Sequence, residues 1–285
     1  MTGDTGAMQT LARHEATRYV QPLREGGSLP AVVDTDGGGL FVVKFRGAGQ
    51  GAKALIAELI VGQLAQALSL PVPELAVIEL SAAFGRSEPD PEIQDILRGS
   101  AGVNVGLRYL DGAFNFDVAA AGALIPDDLA TPLVWLDAFV TNPDRSHRNP
   151  NLLVWRRTPW LIDHGGALYA QHDWSAVDEA RTRTAFPRIR EHVLLDRAGD
   201  LAAMDAGLAA AVGPDVIEHV LAQVPDALLT DPVSCREFSS AEAARARYRA
   251  YLTTRLRAPR DFVAEAVRAR DELLREPARR LSARR

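Results

Sequence analysis

Cysteine is almost absent from this sequence: Cys235 is the single one among 285 residues. A lone cysteine permits neither an intrachain disulfide nor a cysteine metal cluster. Long apolar runs are also missing, since none approaches the roughly 20 residues that a membrane-spanning helix needs. The N-terminus has no basic stretch followed by an apolar one, which is the pattern of a secretion signal. We therefore expect a cytoplasmic protein without a membrane span.

Lysine is nearly as scarce, because only Lys44 and Lys53 are lysines among the 32 Lys and Arg residues. Arg and Lys are not interchangeable at a tight phosphate site, so a lysine retained in an arginine-rich background is informative. Lys44 lies in an apolar strand pattern over residues 40–45, where a charge is costly without a partner. We interpret it as a functional residue. The alternative is an edge-strand lysine that guards against aggregation.

The remaining composition is ordinary for a globular protein, with 47% hydrophobic and 24% charged residues. A chain of this length can form one large domain or two lobes around a cleft. Charge is unevenly distributed: residues 236–285 contain 14 Arg and 7 acidic residues, whereas the whole chain carries a net charge of −5. The rest of the chain is therefore acidic, which argues against nucleic acid as the main ligand.

Strand patterns dominate the first part of the chain and helix patterns the second. Alternating apolar residues and Gly-rich turns predict strands over 18–23, 31–34, 40–46, 74–80 and 103–110. A helix begins at Lys53 and ends before Pro71, whereas residues 1–17 show no strong pattern. Beyond residue 110, two short strands interrupt a series of helices. We predict an α+β protein with a β-rich N-terminal lobe (18–110), a larger helical C-terminal lobe (111–285) and a ligand between them.

The most informative segment follows a helix predicted over 132–140. It reads Asn142-Pro-Asp144-Arg-Ser-His-Arg-Asn149, and a second acidic motif, Asp163-His-Gly165, follows an apolar strand. An Asp, an Asn five positions later and a second Asp-x-Gly form the core pattern of kinase-fold phosphotransferases. This chemistry needs a carboxylate to accept the proton of the attacking hydroxyl and hard oxygen ligands for Mg²⁺. We predict Asp144 as the catalytic base and Asn149 and Asp163 as metal ligands.

The same chemistry requires contacts to a nucleotide, which we expect to be ATP. Lys44 would contact the phosphates, steadied by Glu58 on the next helix; the alternative for Glu58 is a solvent-facing charge. Backbone N–H groups of the first glycine loop would approach the phosphates, and the segment between the lobes would lie against the adenine. The predicted nucleotide contacts are Gly26, Gly27, Ser28, Lys44, Arg108, Tyr109 and Leu110. Arg145 and His147 either orient the substrate or are ordinary loop residues.

Residues 134–151 and 160–169 resemble the catalytic segments of HipA-like kinases, a bacterial family related to the phosphatidylinositol and protein kinases. The resemblance runs from about Tyr19 to Tyr169. It implies a bilobal, protein-kinase-like fold that uses ATP and Mg²⁺, with Asp144, Asn149, Asp163 and Lys44 in the roles given above. HipA itself is a serine/threonine kinase and the toxin of a toxin–antitoxin pair, and it silences itself by phosphorylating its nucleotide loop.

The chain departs from the HipA toxins in several respects. It is too short for their N-terminal subdomain, His147 stands three residues after the base instead of two, His164 replaces the usual Phe, and Ser28 is the sole hydroxyl of the nucleotide loop. We therefore carry over the chemistry but not the toxin role, and an antitoxin partner stays unsupported.

We expect phosphorylation of a Ser or Thr hydroxyl on a protein. The alternatives are a kinase of a small-molecule hydroxyl, with Asp173 and Asp178 in an acidic acceptor pocket, and a nucleotide-binding pseudokinase that acts in partner recognition.

Overall fold

A closed five-stranded barrel forms the N-terminal part of the protein. The computed structural model describes residues 10–23, 29–49, 51–86 and 88–275. Neighbouring strands pair in the order β1-β2-β3-β5-β4, and β4 returns to pair with β1 in parallel. Closure leaves no unpaired sheet edge. The strands are β1 (Ala12–Pro22), β2 (Ala31–Thr35), β3 (Gly39–Lys44), β4 (Leu75–Leu80) and β5 (Gly102–Arg108).

The β2–β3 hairpin places Lys44 at the end of a central strand. Its turn ends at Gly39, whose φ of +77° suits glycine. The Thr35 hydroxyl closes the turn, because it donates to the Gly39 carbonyl (2.9 Å) and accepts from the Gly38 N–H (3.2 Å). Phe41 and Val43 then face the barrel interior. Because side chains alternate along a strand, Lys44 faces outward, toward the rest of the protein.

Helix α1 (Ala52–Ala67) joins the barrel to the helical part of the chain. Thirteen of its sixteen residues are buried, which is typical of a helix that is apolar on all sides. It contacts β4 and β5 on one side and two C-terminal helices on the other. Its apolar side chains belong to the large core of the helical region, whereas the barrel interior and α2 (Pro91–Gly99) form a separate, smaller core.

The C-terminal part is mostly helical and contains one small sheet in the order β6-β7-β8. Short 3₁₀ turns fill much of the chain between residues 169 and 197. None of the described helices combines the length and apolar character that crossing a bilayer requires. The strands are β6 (Phe114–Asn115), β7 (Leu152–Trp155) and β8 (Thr158–Leu161), and the helices are α3 (Val118–Ala121), α4 (Asp127–Phe139), α5 (Glu179–Thr182), α6 (Leu201–Ala211), α7 (Pro214–Gln223), α8 (Asp226–Leu229), α9 (Ala241–Leu256) and α10 (Asp261–Arg275).

The coarse prediction of an α+β protein with a β-rich first part and a helical second part is confirmed. One expectation was wrong: the patternless lead-in over residues 1–17 contains the start of β1, at Ala12. This strand alternates between exposed and half-buried residues, so its apolar periodicity is weak. It is held by backbone pairing with β2 and β4, which a local sequence pattern does not reveal.

Candidate active site

The β7–β8 hairpin brings two separate motifs of the sequence side by side. Leu152 pairs with Leu161, so the residues just before β7 and just after β8 lie at the same end of the hairpin. The Ile162 N–H donates to the Asn151 carbonyl at 3.1 Å. The loop that contains Asp144 and the loop that begins at Asp163 are therefore neighbours.

The Asp144 side chain lies directly against the second loop. A Cβ at Gly166 would lie 3.1 Å from the Asp144 Cβ and 3.6 Å from its Oδ2. On the other side of the same loop, a Cβ at Gly165 would lie 3.5 Å from the Ala54 carbonyl in α1. The Asp163–Gly166 turn thus fits between the first turn of α1 and the Asp144 loop, and these glycines permit the close approach.

Three charged residues from three different elements form what we call the open cluster: Lys44, Glu58 and Asp163. The Lys44 Nζ lies 2.7 Å from the Glu58 Oε2 and 2.5 Å from the Asp163 Oδ1. Glu58 is fully buried, whereas the Asp163 side chain is 40% exposed. Burial disfavours the Lys44 charge, but the two carboxylates outweigh it and raise the pKa of Lys44 above its usual value. The largely buried lysine therefore carries a permanent positive charge next to the accessible Asp163 carboxylate.

His164 holds Glu58 in place. Its backbone N–H donates to the Glu58 Oε2 at 2.8 Å, and its Nδ1 lies 3.3 Å from the Oε1. Burial favours a protonated Glu58, but Lys44 and His164 outweigh it and lower the pKa of Glu58 to about 2. Because the carboxylate is ionised, the His164 Nδ1 carries the proton of this hydrogen bond. The residue that departs from the usual Phe thus ties α1 to the Asp163 loop.

Two asparagines surround the Asp144 carboxylate. The Asn149 Nδ2 donates to Oδ1 at 3.0 Å, and the Asn151 Nδ2 donates to the Asp144 carbonyl at 3.1 Å and to Oδ2 at 3.3 Å. Asn149 is exposed, whereas Asn151 is buried and has a φ of +48°. Sequence reasoning chose Asn149 by its spacing and missed Asn151. The sequence feature that could have identified Asn151 is its position directly before an apolar strand, since Asp163 closely follows one.

A second group of charges, which we call the closed network, consists of Asp137, Arg145 and His192. The Arg145 Nε donates to the Asp137 Oδ2 at 2.7 Å, and its Nη1 donates to the Asn151 carbonyl at 2.5 Å. All three side chains are buried. The guanidinium of Arg145 is enclosed and spans the base of the Asp144 loop, which favours a structural role over the orientation of a substrate. His147, by contrast, is exposed on that loop.

The tautomer of His192 follows from its hydrogen bonds. The Leu194 N–H donates to Nδ1 at 3.0 Å, so Nε2 carries the proton and donates to the Asp137 Oδ2 at 3.0 Å. Burial lowers the pKa of His192, which keeps the ring neutral at neutral pH. Asp137 has its pKa lowered, because Arg145 and His192 outweigh its burial. The Asp137 carboxylate and the His192 ring are therefore paired, whereas the Arg145 Nη2 is buried without a hydrogen-bond partner among the described residues.

The predicted nucleotide contacts are only partly placed. Gly26, Gly27 and Ser28 lie outside the described residues. The N–H groups of Arg108 and Tyr109 donate to the carbonyls of Glu74 (2.8 Å) and Leu40 (3.0 Å). The Arg108 guanidinium pairs with Glu74 and lies 4.3 Å from the centre of the Phe41 ring. These groups hold the end of β5 to its neighbours, and Leu110 begins the turn that follows, since its carbonyl accepts from the Ala113 N–H at 3.0 Å.

The donor atoms near the open cluster suit Mg²⁺. They are carboxylate and amide oxygens, which this hard cation prefers. Among the described residues, no group of three or more His, Cys, Asp and Glu side chains is placed to hold a metal. A site of one carboxylate and one amide fits an ion that takes its remaining ligands from phosphate and water. Asp163, with Asn149 or Asn151, would hold such an ion.

The chain belongs to the HipA-like kinases: the model of that family matches residues 17–242. The family resemblance inferred from the two catalytic segments is thereby confirmed. Among curated proteins, none matches the sequence significantly. The crystal structure of a Helicobacter pylori proinflammatory kinase, CtkA, superposes with a TM-score of 0.49 at 12% sequence identity, over 89% of this chain and 96% of that one. Identity this low and a superposition this loose transfer no property to the chain.

Proposed function

We propose that the protein is an ATP- and Mg²⁺-dependent phosphotransferase that phosphorylates a Ser or Thr hydroxyl of a protein. The observation that carries this proposal is the convergence of Lys44, Glu58 and Asp163 from β3, α1 and the turn after β8, with the Gly166 end of that turn against Asp144. Phosphoryl transfer depends on positioning and charge neutralisation. A fixed ammonium beside an accessible carboxylate, next to a second carboxylate, supplies both.

Each residue has a defined task in this proposal. Asp144 accepts the proton of the acceptor hydroxyl as the new bond forms from that oxygen to phosphorus and the bond to the ADP oxygen breaks. Lys44 contacts the phosphates, and Glu58 keeps its ammonium in place. Asp163 and one of the two asparagines hold Mg²⁺, which supplies charge neutralisation on the phosphates when bound.

The proposed arrangement of domains divides the chain after β5, and α1 packs across this division into the core of the helical part. We assign residues 18–110 to a nucleotide-binding lobe and residues 111–285 to a helical lobe, with the adenine against the segment 108–111. The open cluster lies where the barrel, α1 and the helical part meet, as expected of a ligand site at a boundary. Action in the cytoplasm is part of the proposal, and it rests on the scarcity of cysteine.

A protein acceptor is favoured over the two alternatives. The acidic pocket expected for a small-molecule kinase is not supported by its two candidates: Asp178 caps α5 by accepting from the Arg181 N–H (2.7 Å), and the exposed Asp173 accepts from the Ser175 hydroxyl (2.6 Å). A pseudokinase is disfavoured because Lys44, Asp144 and Asp163 are all present and held together.

The test is Asp163→Asn, measured as phosphate release from Mg-ATP with and without cell lysate as acceptor. Asp163 has a φ of +56°, and Asn tolerates this left-handed conformation, so the backbone keeps its shape. Turnover should fall by at least about 10²–10³-fold with little change in melting temperature. Asp215→Asn, at an exposed carboxylate on α7 outside the cluster, is the control. Full turnover in the Asp163 variant would refute the assignment.

A further inference from the structure

A cavity of about 520 Å³ lies beside the Asp144 loop and has no place in the chemistry described so far. Thr141 and Pro143, just before Asp144, line it together with residues of two later segments, which include Asp173, Arg181 and Arg188. Its floor is buried and includes Val177 and Phe186. Its rim is open to solvent, since the Tyr169 side chain is 65% exposed. The cavity is thus a groove that leads up to the proposed catalytic base.

Arginines dominate the charges that line this groove. Arg181 and Arg188 stand on the exposed rim, and Arg255 contributes to the floor. Arg188 forms a weak ion pair with Glu191, at 3.7 Å between two exposed side chains. One carboxylate, Asp173, lines the groove, and its hydrogen bond from Ser175 lowers its pKa. The lining therefore carries an excess of positive charge.

Arg255 is the most unusual of these charges, because it is buried and bonds to carbonyl oxygens. Its Nε donates to Phe139 (2.7 Å), its Nη2 to Ala138 (3.0 Å) and its Nη1 to Thr182 (2.6 Å). In the part of the chain that the structure describes, no ion pair includes it. The carbonyls at the end of α4 satisfy its N–H groups and offset part of its charge. Asp261 acts on this charge without forming an ion pair among the described residues, so part of the charge remains and the floor of the groove attracts anions.

A neighbouring histidine does not add to this charge. His172 lines the same groove, and burial together with the nearby Lys53 lowers its pKa. Its ring is therefore neutral at neutral pH. The positive charge comes from arginines, whose planar guanidinium groups bind carboxylates through two hydrogen bonds.

We infer that this groove binds acidic residues of the peptide that carries the acceptor hydroxyl. The inference rests on the proposed function and adds a substrate class to it: a Ser or Thr flanked by Asp or Glu. The geometry favours a peptide over a compact metabolite, because the groove is open along its rim and runs past Pro143 toward Asp144. The hydroxyl would reach Asp144 while neighbouring carboxylates pair with Arg181 and Arg188.

The experiment uses three fluorescent peptides with one central Ser, flanked by Glu, by Gln or by Arg. Binding is measured by anisotropy without ATP, and phosphate transfer is measured separately with Mg-ATP. The Glu peptide should bind at least about tenfold more tightly than the Gln peptide, and salt should weaken it. The double variant Arg181→Gln, Arg188→Gln should lose most of that difference. Arg183→Gln is the matched control, because Arg183 lies on the same segment but bonds to the Pro259 carbonyl at 2.9 Å, outside the groove.

The outcomes separate this inference from the proposed function. Equal binding of the Glu and Gln peptides, or a preference that persists in the double variant with an unchanged melting temperature, overturns the inference. Free glutamate at the peptide concentration should not compete, and equal competition would overturn the assignment to a peptide. Phosphate transfer to all three peptides alike would support the proposed kinase activity and contradict a role of the groove in selecting the substrate. Arginine-dependent binding of the Glu peptide without transfer to any peptide would support the groove as a binding site and contradict the proposed kinase activity.

Discussion

The open cluster and the closed network contain similar side chains but are built in opposite ways. In the open cluster, Lys44 has two carboxylate partners and one of them, Asp163, is 40% exposed. In the closed network, Asp137 receives hydrogen bonds from Arg145, His192 and Asn142, and its side chain is fully buried. One group presents an accessible carboxylate to a ligand. The other has no accessible charge.

This difference separates two roles of buried ion pairs near one loop. The closed network fixes the loop, because Arg145 directly follows Asp144 and also donates to the Asn151 carbonyl, at the loop's far end. A buried pair of this kind stabilises little compared with apolar packing, but removing one partner is costly. The open cluster can exchange an internal partner for a ligand, because the Asp163 side chain beside Lys44 is 40% exposed. We therefore assign the proposed phosphate transfer to the open cluster and the positioning of the Asp144 loop to the closed network.

The largest expected effect is the difference in stability between an Asp→Asn change in the closed network and one in the open cluster. Asp137→Asn leaves the buried Arg145 charge without its partner and should destabilise the protein by about 3–5 kcal/mol. Asp163→Asn should cost less than about 1 kcal/mol, because Lys44 keeps Glu58 and the altered side chain reaches solvent. Urea unfolding of the two variants measures both values. Similar losses in the two variants would show that the two groups are built alike, contrary to the comparison.

A smaller effect is expected from Glu58→Gln, which tests the buried end of the open cluster. The amide retains the shape of Glu58 but loses its charge, so Lys44 is held by Asp163 alone. Turnover should fall on the order of 10²-fold, with about 1–3 kcal/mol of stability lost. Glu237→Gln is a suitable control, because Glu237 pairs with the other lysine, Lys53, at 2.8 Å. Gln63→Glu is not equivalent, because it adds a charge instead of removing one. Normal turnover in Glu58→Gln would show that Glu58 has no role in phosphate transfer.

The two asparagines next to Asp144 can be distinguished by replacing each with glycine. Asn151 has a φ of +48°, which glycine accepts without strain, so this change removes only the side chain. We expect Asn151→Gly to cost about 1–2 kcal/mol and to raise the Mg²⁺ concentration needed for half-maximal turnover. Asn149→Gly, on the exposed part of the loop, should cost about 0.5–1 kcal/mol. If Mg²⁺ dependence shifts in the Asn149 variant instead, the assignment from spacing was the correct one.

The smallest expected effect is a two-step loss of stability in acid. His192 has a lowered pKa in the folded protein, so its contribution is present above about 6.5 and is lost as the pH falls below that value. Glu58, with a pKa of about 2, contributes above about 4.5, and this contribution is lost as the pH falls toward 2. Asp137 behaves in the same direction as Glu58. Urea unfolding between pH 7.5 and 3 should show both steps.

A histidine variant sharpens that measurement. His192→Asn should reduce the upper step, by up to about 1.4 kcal/mol per pH unit, and leave the lower one. Part of the upper step should remain, because His172 also has a lowered pKa. An unchanged upper step would mean that the closed network does not hold a neutral histidine.

Sequence patterns predicted the elements whose side chains repeat at a regular spacing. They predicted, close to the observed bounds, the hairpin before Lys44, the helix that contains Glu58 and the two strands joined by the turn after Trp155. The start of β1 was not predicted, because its pairing partners lie far along the chain at β4. The burial of Asn151 and Arg145 was not predicted for a related reason: a polar loop residue shows its type in the sequence but not its burial.

The order of residues alone determined the family, the α+β character and the identity of the acidic and amide side chains that the chemistry needs, because these depend on residue type and spacing. The tertiary structure decided which charges face each other and which of them solvent can reach. Burial and partnership are set by packing between distant segments, such as α1 against the Asp163 turn and His192 against α4. The primary order therefore contains both the open cluster and the closed network, but only the folded chain tells them apart.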